Sequence, residues 1–228
     1  MFIRGISLMV KNEAIIDTCF IEKITSGGSK VENIKIVLEE LEYKPVVHPY
    51  VAKHELSLHS YSNDLIETGY IRKIEYSEFV PDEDDKLMYE DYFYQVYEDM
   101  RQFLEAKGGP KQIEKLVLPK NQDIYSYHRQ GSSLGDVHMI LMAAFMRLPI
   151  ILTEDSDIEL LRTIAKKRVS LGDFRLDIYN GVELLKKIAA NDTPSLTKKD
   201  LESILLNMGE RSKRSELRAV WNEHHTTE

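Results

Sequence analysis

Gly135-Asp136-Val137-His138-Met139-Ile140-Leu141-Met142-Ala143-Ala144-Phe145-Met146-Arg147-Leu148-Pro149-Ile150-Ile151-Leu152-Thr153-Glu154-Asp155-Ser156-Asp157 decides the fold. Val137 and the run from Met139 to Met146 are apolar on nearly every face of a helix, which means burial rather than amphipathic surface packing. Pro149 turns the chain. Ile150-Ile151-Leu152 is too short for a helix and predicts a central strand of a parallel sheet. Thr153, Glu154, Asp155 and Asp157 then fall at that strand's carboxyl end, where open α/β sheets bind their ligands. Carboxylates beside so much buried apolar surface are costly unless compensated, and the usual compensation is a cation.

Upstream, Glu13 to Cys19 reads as a first buried strand ending in an acid, followed by a turn at Thr25 to Gly28. Ser29 with Glu32 forms a capping box for a helix striped by Val31, Ile34, Val37, Leu38 and Leu41. Pro45 to Pro49 predicts a second strand, leading into a helix over Tyr50 to Leu58 that carries Glu55. The acidic run Pro81 to Asp85 has no glycine for a calcium loop, and its carboxylates favour the start of a helix over Lys86 to Lys107. Downstream come a helix over Ile158 to Lys167, a strand at Leu176 to Tyr179 and a helix over Val182 to Ala190. Alternating elements of this kind predict a three-layer α/β/α fold around a central, mainly parallel twisted sheet of about five strands. One domain is expected over 1–190, with a helical insertion at about 60–130. The break at Asn191 to Ser195 opens a C-terminal helical extension, 191–228, whose first helix is capped by Thr197 and Asp200.

With 228 residues, 43% of them hydrophobic, the chain can bury a sizeable core, and no apolar run is long enough to cross a membrane. The single cysteine, Cys19, excludes an internal disulfide and fits a reducing compartment, so a cytoplasmic location is expected. A net charge of −8 argues against a general nucleic-acid coat protein, so contacts with phosphate must be local and helped by metal ions.

Asp17 and Asp155 both end predicted central strands and should meet at one sheet edge, and right-handed crossover geometry lets Asp136 approach it. Asp17-Thr18-Cys19-Phe20-Ile21 after an apolar strand resembles the opening motif of PIN-domain nucleases. The stretch Pro49 to Leu56, carrying Glu55, is similar to their second motif, Gly135-Asp136 to their third, and Leu152 to Asp157 to their fourth. The resemblance covers roughly Ala14 to Ala190 and implies metal-dependent hydrolysis of a phosphodiester, usually in RNA.

The physical logic also stands without the family. Two carboxylates ~4 Å apart repel by about 4 kcal/mol at an effective dielectric of 20, so four together require a cation or protons. All-oxygen ligands favour Mg²⁺ or Mn²⁺ over zinc. Asp17, Glu55, Asp136 and Asp155 are therefore the expected ligands and catalytic acids, with Asp157 as a fifth and Glu154 turned the other way. Thr18, Ser133 and Thr153 could orient them. Each acid alone also fits a bland role, as a turn cap, an N-cap or a helix-dipole partner. Only their coincidence favours a site.

Other residues carry less. His48, His54 and His59 lack zinc spacing, and Cys19 reads as a small core residue. Lys166-Lys167-Arg168 and the tail's Arg211, Lys213, Arg214 and Arg218 could contact RNA, though exposed solubility charge is the default. A haloacid-dehalogenase-like phosphatase needs Asp-x-Asp, which Cys19 breaks. The alternative to an endoribonuclease is a non-catalytic PIN-like protein that binds protein or RNA. A homodimer or partner contact would then use the insertion or the tail.

Overall fold

The computed structural model describes residues 12–107, 118–119, 122–129, 132–170 and 172–225. Five parallel strands form its sheet: β1 (Glu13–Ile16), β2 (Lys44–Val47), β3 (Arg72–Lys73), β4 (Ile150–Leu152) and β5 (Asp177–Tyr179), in the order β3-β2-β1-β4-β5. Ile15 lies opposite Val46 on one side and Ile151 on the other, so the apolar triplets register against each other at the centre. All are buried, as expected of a sheet covered on both faces. The architecture is the expected three-layer α/β/α fold.

One face carries α1 (Thr18–Ile24), α2 (Glu32–Glu40) and α8 (Gly181–Ala189). The other carries α5 (Glu83–Ala106), α6 (Leu134–Met146) and α7 (Ile158–Arg168), which pack on one another. Between β2 and β3 run α3 (Pro49–His54) and α4 (Ser60–Glu67). Because the β1-to-β2 and β4-to-β5 connections run in opposite directions across the sheet, a crevice opens at the carboxyl ends of β1 and β4.

Several local expectations shift by a turn or less. The first strand stops at Ile16, and Thr18 and Cys19 are already helical. Ser29 caps nothing; its hydroxyl donates to the Ser26 carbonyl (2.9 Å), and Val31 sits at the N-cap of α2. The acidic run does start a helix: Asp82 accepts from the Asp85 amide, and Glu83, Asp84 and Asp85 occupy the first turn of α5. Its buried face includes Tyr89, Phe93, Val96, Met100 and Leu104, whereas Leu87 stays exposed. The segment expected as a helical insertion also contributes the edge strand β3, paired with β2. The C-terminal helices α9 (Lys198–Asn207) and α10 (Arg214–His225) join the main core through Leu201, Ile204, Leu205, Met208 and Leu217. Glu202 holds α10 down by accepting from Arg218 and Arg214, which keep its carboxyl at about 2. At the far edge, Arg162 donates through Nε (3.1 Å) and Nη2 (2.7 Å) to the Ile178 carbonyl of β5.

The inserted helix is pinned by a chain of hydrogen bonds whose direction is forced. The Tyr50 amide donates to His48 Nδ1 (3.0 Å), so the proton of that ring sits on Nε2 and points to Tyr89 Oη (3.3 Å). The Tyr89 hydroxyl therefore donates to His138 Nδ1 (2.7 Å), and His138 Nε2 donates to the Ile124 carbonyl (3.0 Å). Burial holds both imidazoles neutral, His138 at about 3 and His48 well below its usual range. Tyr89→Phe leaves one donor and one acceptor unpaired in the core, at about 1–3 kcal/mol each. A clear drop in melting temperature is expected, and an unchanged melt would contradict this account of the core.

Candidate active site

Asp17 sits where β1 becomes α1. Its amide donates to the Leu152 carbonyl (3.0 Å), extending the β1–β4 ladder by one residue. Its Oδ1 accepts the Thr18 amide (2.7 Å), capping the helix. Oδ2 accepts the Thr153 hydroxyl (2.7 Å) and the Cys19 thiol (2.7 Å). Cys19 is thus not the plain core residue expected: half-buried, it bonds Asp17, and its sulfur accepts from the Glu154 amide (3.1 Å).

Glu55 ends α3 rather than lying inside a longer helix, with its backbone at φ −120°. Its Oε2 accepts the Thr18 hydroxyl (3.2 Å). Its Oε1 leans over Gly135 in the first turn of α6, where a Cβ would stand only 2.5 Å away. Asp136, the next residue, is buried in the same turn and bonded by Ser133. Asp155 follows β4: its amide donates to Thr153 Oγ1 (3.1 Å), and its Oδ1 accepts the Asp157 amide (2.7 Å).

These four carboxylates, brought by four segments far apart in sequence, line one cavity of about 340 Å³ at the crevice between β1 and β4. Asp157 does not line it; it takes the N-cap position of α7. The fifth acid on the cavity wall is Glu22, one helical turn beyond Thr18 on α1. That i, i+4 spacing was the only sequence signal for it. Glu154 turns away, accepting the Gly181 amide (2.5 Å) beside a different cleft.

The acids repel one another. Burial, and then Asp155, Asp17 and Glu55, push Asp136 well above the usual carboxylate range. Burial, with Asp17 and Asp155, pushes Glu55 up to about 8. Asp17 is raised by burial, against the hydrogen bonds it accepts from Cys19, Thr153 and Thr18. At neutral pH such a pocket keeps protons or takes a cation. The all-oxygen donor set fits Mg²⁺ or Mn²⁺. Among the described residues, however, no three acidic, histidine or cysteine side chains are already gathered tightly enough to hold one ion.

The expected basic contacts are mostly engaged elsewhere. Lys167 and Arg168 pair with Asp99, Arg214 and Arg218 with Glu202, and Lys213 with Glu216. Among the described residues no helix is long and apolar enough to cross a membrane. Comparison of the chain with protein-family models, with curated proteins and with solved structures gives no match.

Proposed function

We propose that the protein is a metal-dependent phosphodiesterase acting on RNA, an endoribonuclease of PIN-like type. The observation that carries this reading is the convergence of Asp17, Glu55, Asp136 and Asp155 on one cavity at the carboxyl edge of a parallel sheet. Asp17, Glu55, Asp136 and Asp155 would hold Mg²⁺ or Mn²⁺, directly or through water. The ion supplies charge neutralisation at the phosphate and activation of the attacking water. The chain's own residues do the rest. Thr153 and Thr18 fix the rotamers of Asp17 and Glu55, and Ser133 that of Asp136. Glu55 must release the proton it keeps near neutral pH before it can ligate, so ion affinity should climb with pH up to about 8. Cleavage of a labelled RNA in Mn²⁺, silenced by a chelator, is the expected result; an inert protein under both conditions would end this reading.

Gly135 is part of the same design. Alanine is intrinsically the better helix residue by about 1 kcal/mol, yet its Cβ would collide with Glu55 Oε1. Gly135→Ala is expected to weaken Mn²⁺ binding about tenfold, the effect of disturbing a group that orients a ligand. Calorimetric titration measures this directly, and equal affinities would remove Gly135 from the account.

A binding module without catalysis is the second reading, favoured by one detail. Both oxygens of Asp17 already accept hydrogen bonds from the protein, which gives that acid a structural task whether or not it also ligates an ion. The same titration separates the readings, because a structural cluster shows no Mn²⁺ uptake that depends on the acids.

A further inference from the structure

A second cavity, of about 710 Å³, lies on the same sheet edge as the acids, over the carboxyl ends of β2 and β3. Its walls come from α3, α4, Lys73 at the end of β3 and the segment 122–126. Tyr50 joins it to the first cavity. The Tyr50 ring lines the second cavity, its hydroxyl donates to the Tyr127 carbonyl (2.8 Å), and Glu55, at the end of the same helix, faces the first.

The lining has a definite chemistry. Three phenol rings contribute, of Tyr50, Tyr76 and Tyr125, the last two meeting edge to face at 4.9 Å. The buried Tyr76 hydroxyl has no hydrogen-bond partner among the described residues, whereas that of Tyr125 lies against the Glu90 carboxyl. A buried polar group in that state calls for water or a ligand. Lys73 is tied to Glu75 (3.0 Å), and Asp123 is turned to the Tyr125 amide and the Ser126 hydroxyl. Lys53 is exposed and makes no ion pair among the described residues, while Glu67 is the remaining acid of the wall.

The half-buried rings of Tyr76 and Tyr125, an uncommitted ammonium and one hydroxyl lacking a partner suit a base, a phosphate and the polar edges of a nucleotide. The volume is in the ordinary range for a small ligand. A base already stacked inside a duplex could not enter without being flipped out. We infer that this cavity holds one unpaired nucleotide of the strand whose phosphodiester lies at the acids, with its base against Tyr76 and Tyr125 and its phosphate at Lys53. The placement along the strand rests on the phosphodiesterase reading; the binding itself does not.

The probe is a short fluorescent oligouridylate, followed by anisotropy in EDTA so that no cleavage intervenes. Lys53→Glu, on an exposed side chain, and Tyr125→Ala should each weaken binding about tenfold, the scale of one lost stacking or phosphate contact. A fully paired duplex of the same length should bind the wild type no better than the single strand binds Lys53→Glu. Undiminished affinity in the folded Lys53→Glu variant, or equal binding of the duplex, overturns the proposal. Binding through Lys53 without cleavage in Mn²⁺ would keep this subsite and discard the nuclease. Cleavage in Mn²⁺ with KM unaltered by Lys53→Glu would do the reverse.

Discussion

Asp136→Asn should lower Mn²⁺-dependent RNA cleavage by about 100- to 1,000-fold, the usual scale for removing one preorganised electrostatic group. The same substitution should raise the melting temperature of the metal-free protein. Asp136 is buried and faces Asp155, Asp17 and Glu55, so its charged form is opposed by everything around it. An amide of the same shape keeps the hydrogen bond to Ser133 and removes the repulsion. Each kcal/mol regained is worth about 2–4 °C in a chain of this size. Lost activity with gained stability marks a group kept for its chemistry. Lost activity with lost stability would assign Asp136 to the framework instead.

A second large effect should appear with pH. Glu55 has its folded-state value pushed up to about 8, and Asp136 and Asp17 are also raised. Between the ordinary carboxyl value near 4.3 and these raised values, the folded state binds more protons than the unfolded chain. Stability is therefore full below about pH 4.3 as far as these groups are concerned, and it is lost as pH rises through the window to about 8. The slope is about 1.4 kcal/mol per pH unit for each group held protonated only in the folded state. Metal-free protein should melt progressively lower from pH 5 to pH 8, and Glu55→Gln should flatten the fall. Saturating Mn²⁺ should restore the high-pH melting temperature. A metal-free melt independent of pH across that range would mean the acids are better solvated than the cavity suggests.

What could be read from sequence was whatever is encoded locally. The apolar triplets before Asp17 and after Pro149 led to β1 and β4, because a strand buried on both faces has no other composition. Asn180 with Glu183 and Thr197 with Asp200 form reciprocal caps, and the cap at Thr197 and the helix start in the acidic run were legible from a few neighbouring residues. The strand β3 was not. Its two residues, Arg72 and Lys73, are exposed and become a strand only by pairing with β2. Asp17, Asp136 and Asp155 were legible together because each follows a strand or opens a helix, whereas Glu55, expected inside a helix, joined them only through its likeness to a PIN-domain motif. Asp157 and Glu22 exchanged places for a reason of phase. Asp157 is drawn to the start of α7 by its amide bond to Asp155, whereas Glu22 reaches the cavity only once Thr18 is known to be helical. The neighbouring tyrosine cavity was invisible for a similar reason, since β3 and the segment near Asp123 supply Lys73, Asp123, Tyr125 and Ser126 to its wall.

The bond from Arg162 to Ile178 bears on how this molecule meets copies of itself. In β5, the Asp177 amide and the Tyr179 carbonyl point inward to bonds with Pro149 and Thr153. Ile178 alone turns its peptide groups outward, and Arg162 already occupies its carbonyl twice over. A visiting strand would find a single amide to hold, beside a guanidinium also paired with Glu159 and Glu183. The β5 border of the sheet is thereby closed to templated growth, the route by which parallel sheets run on into fibrils.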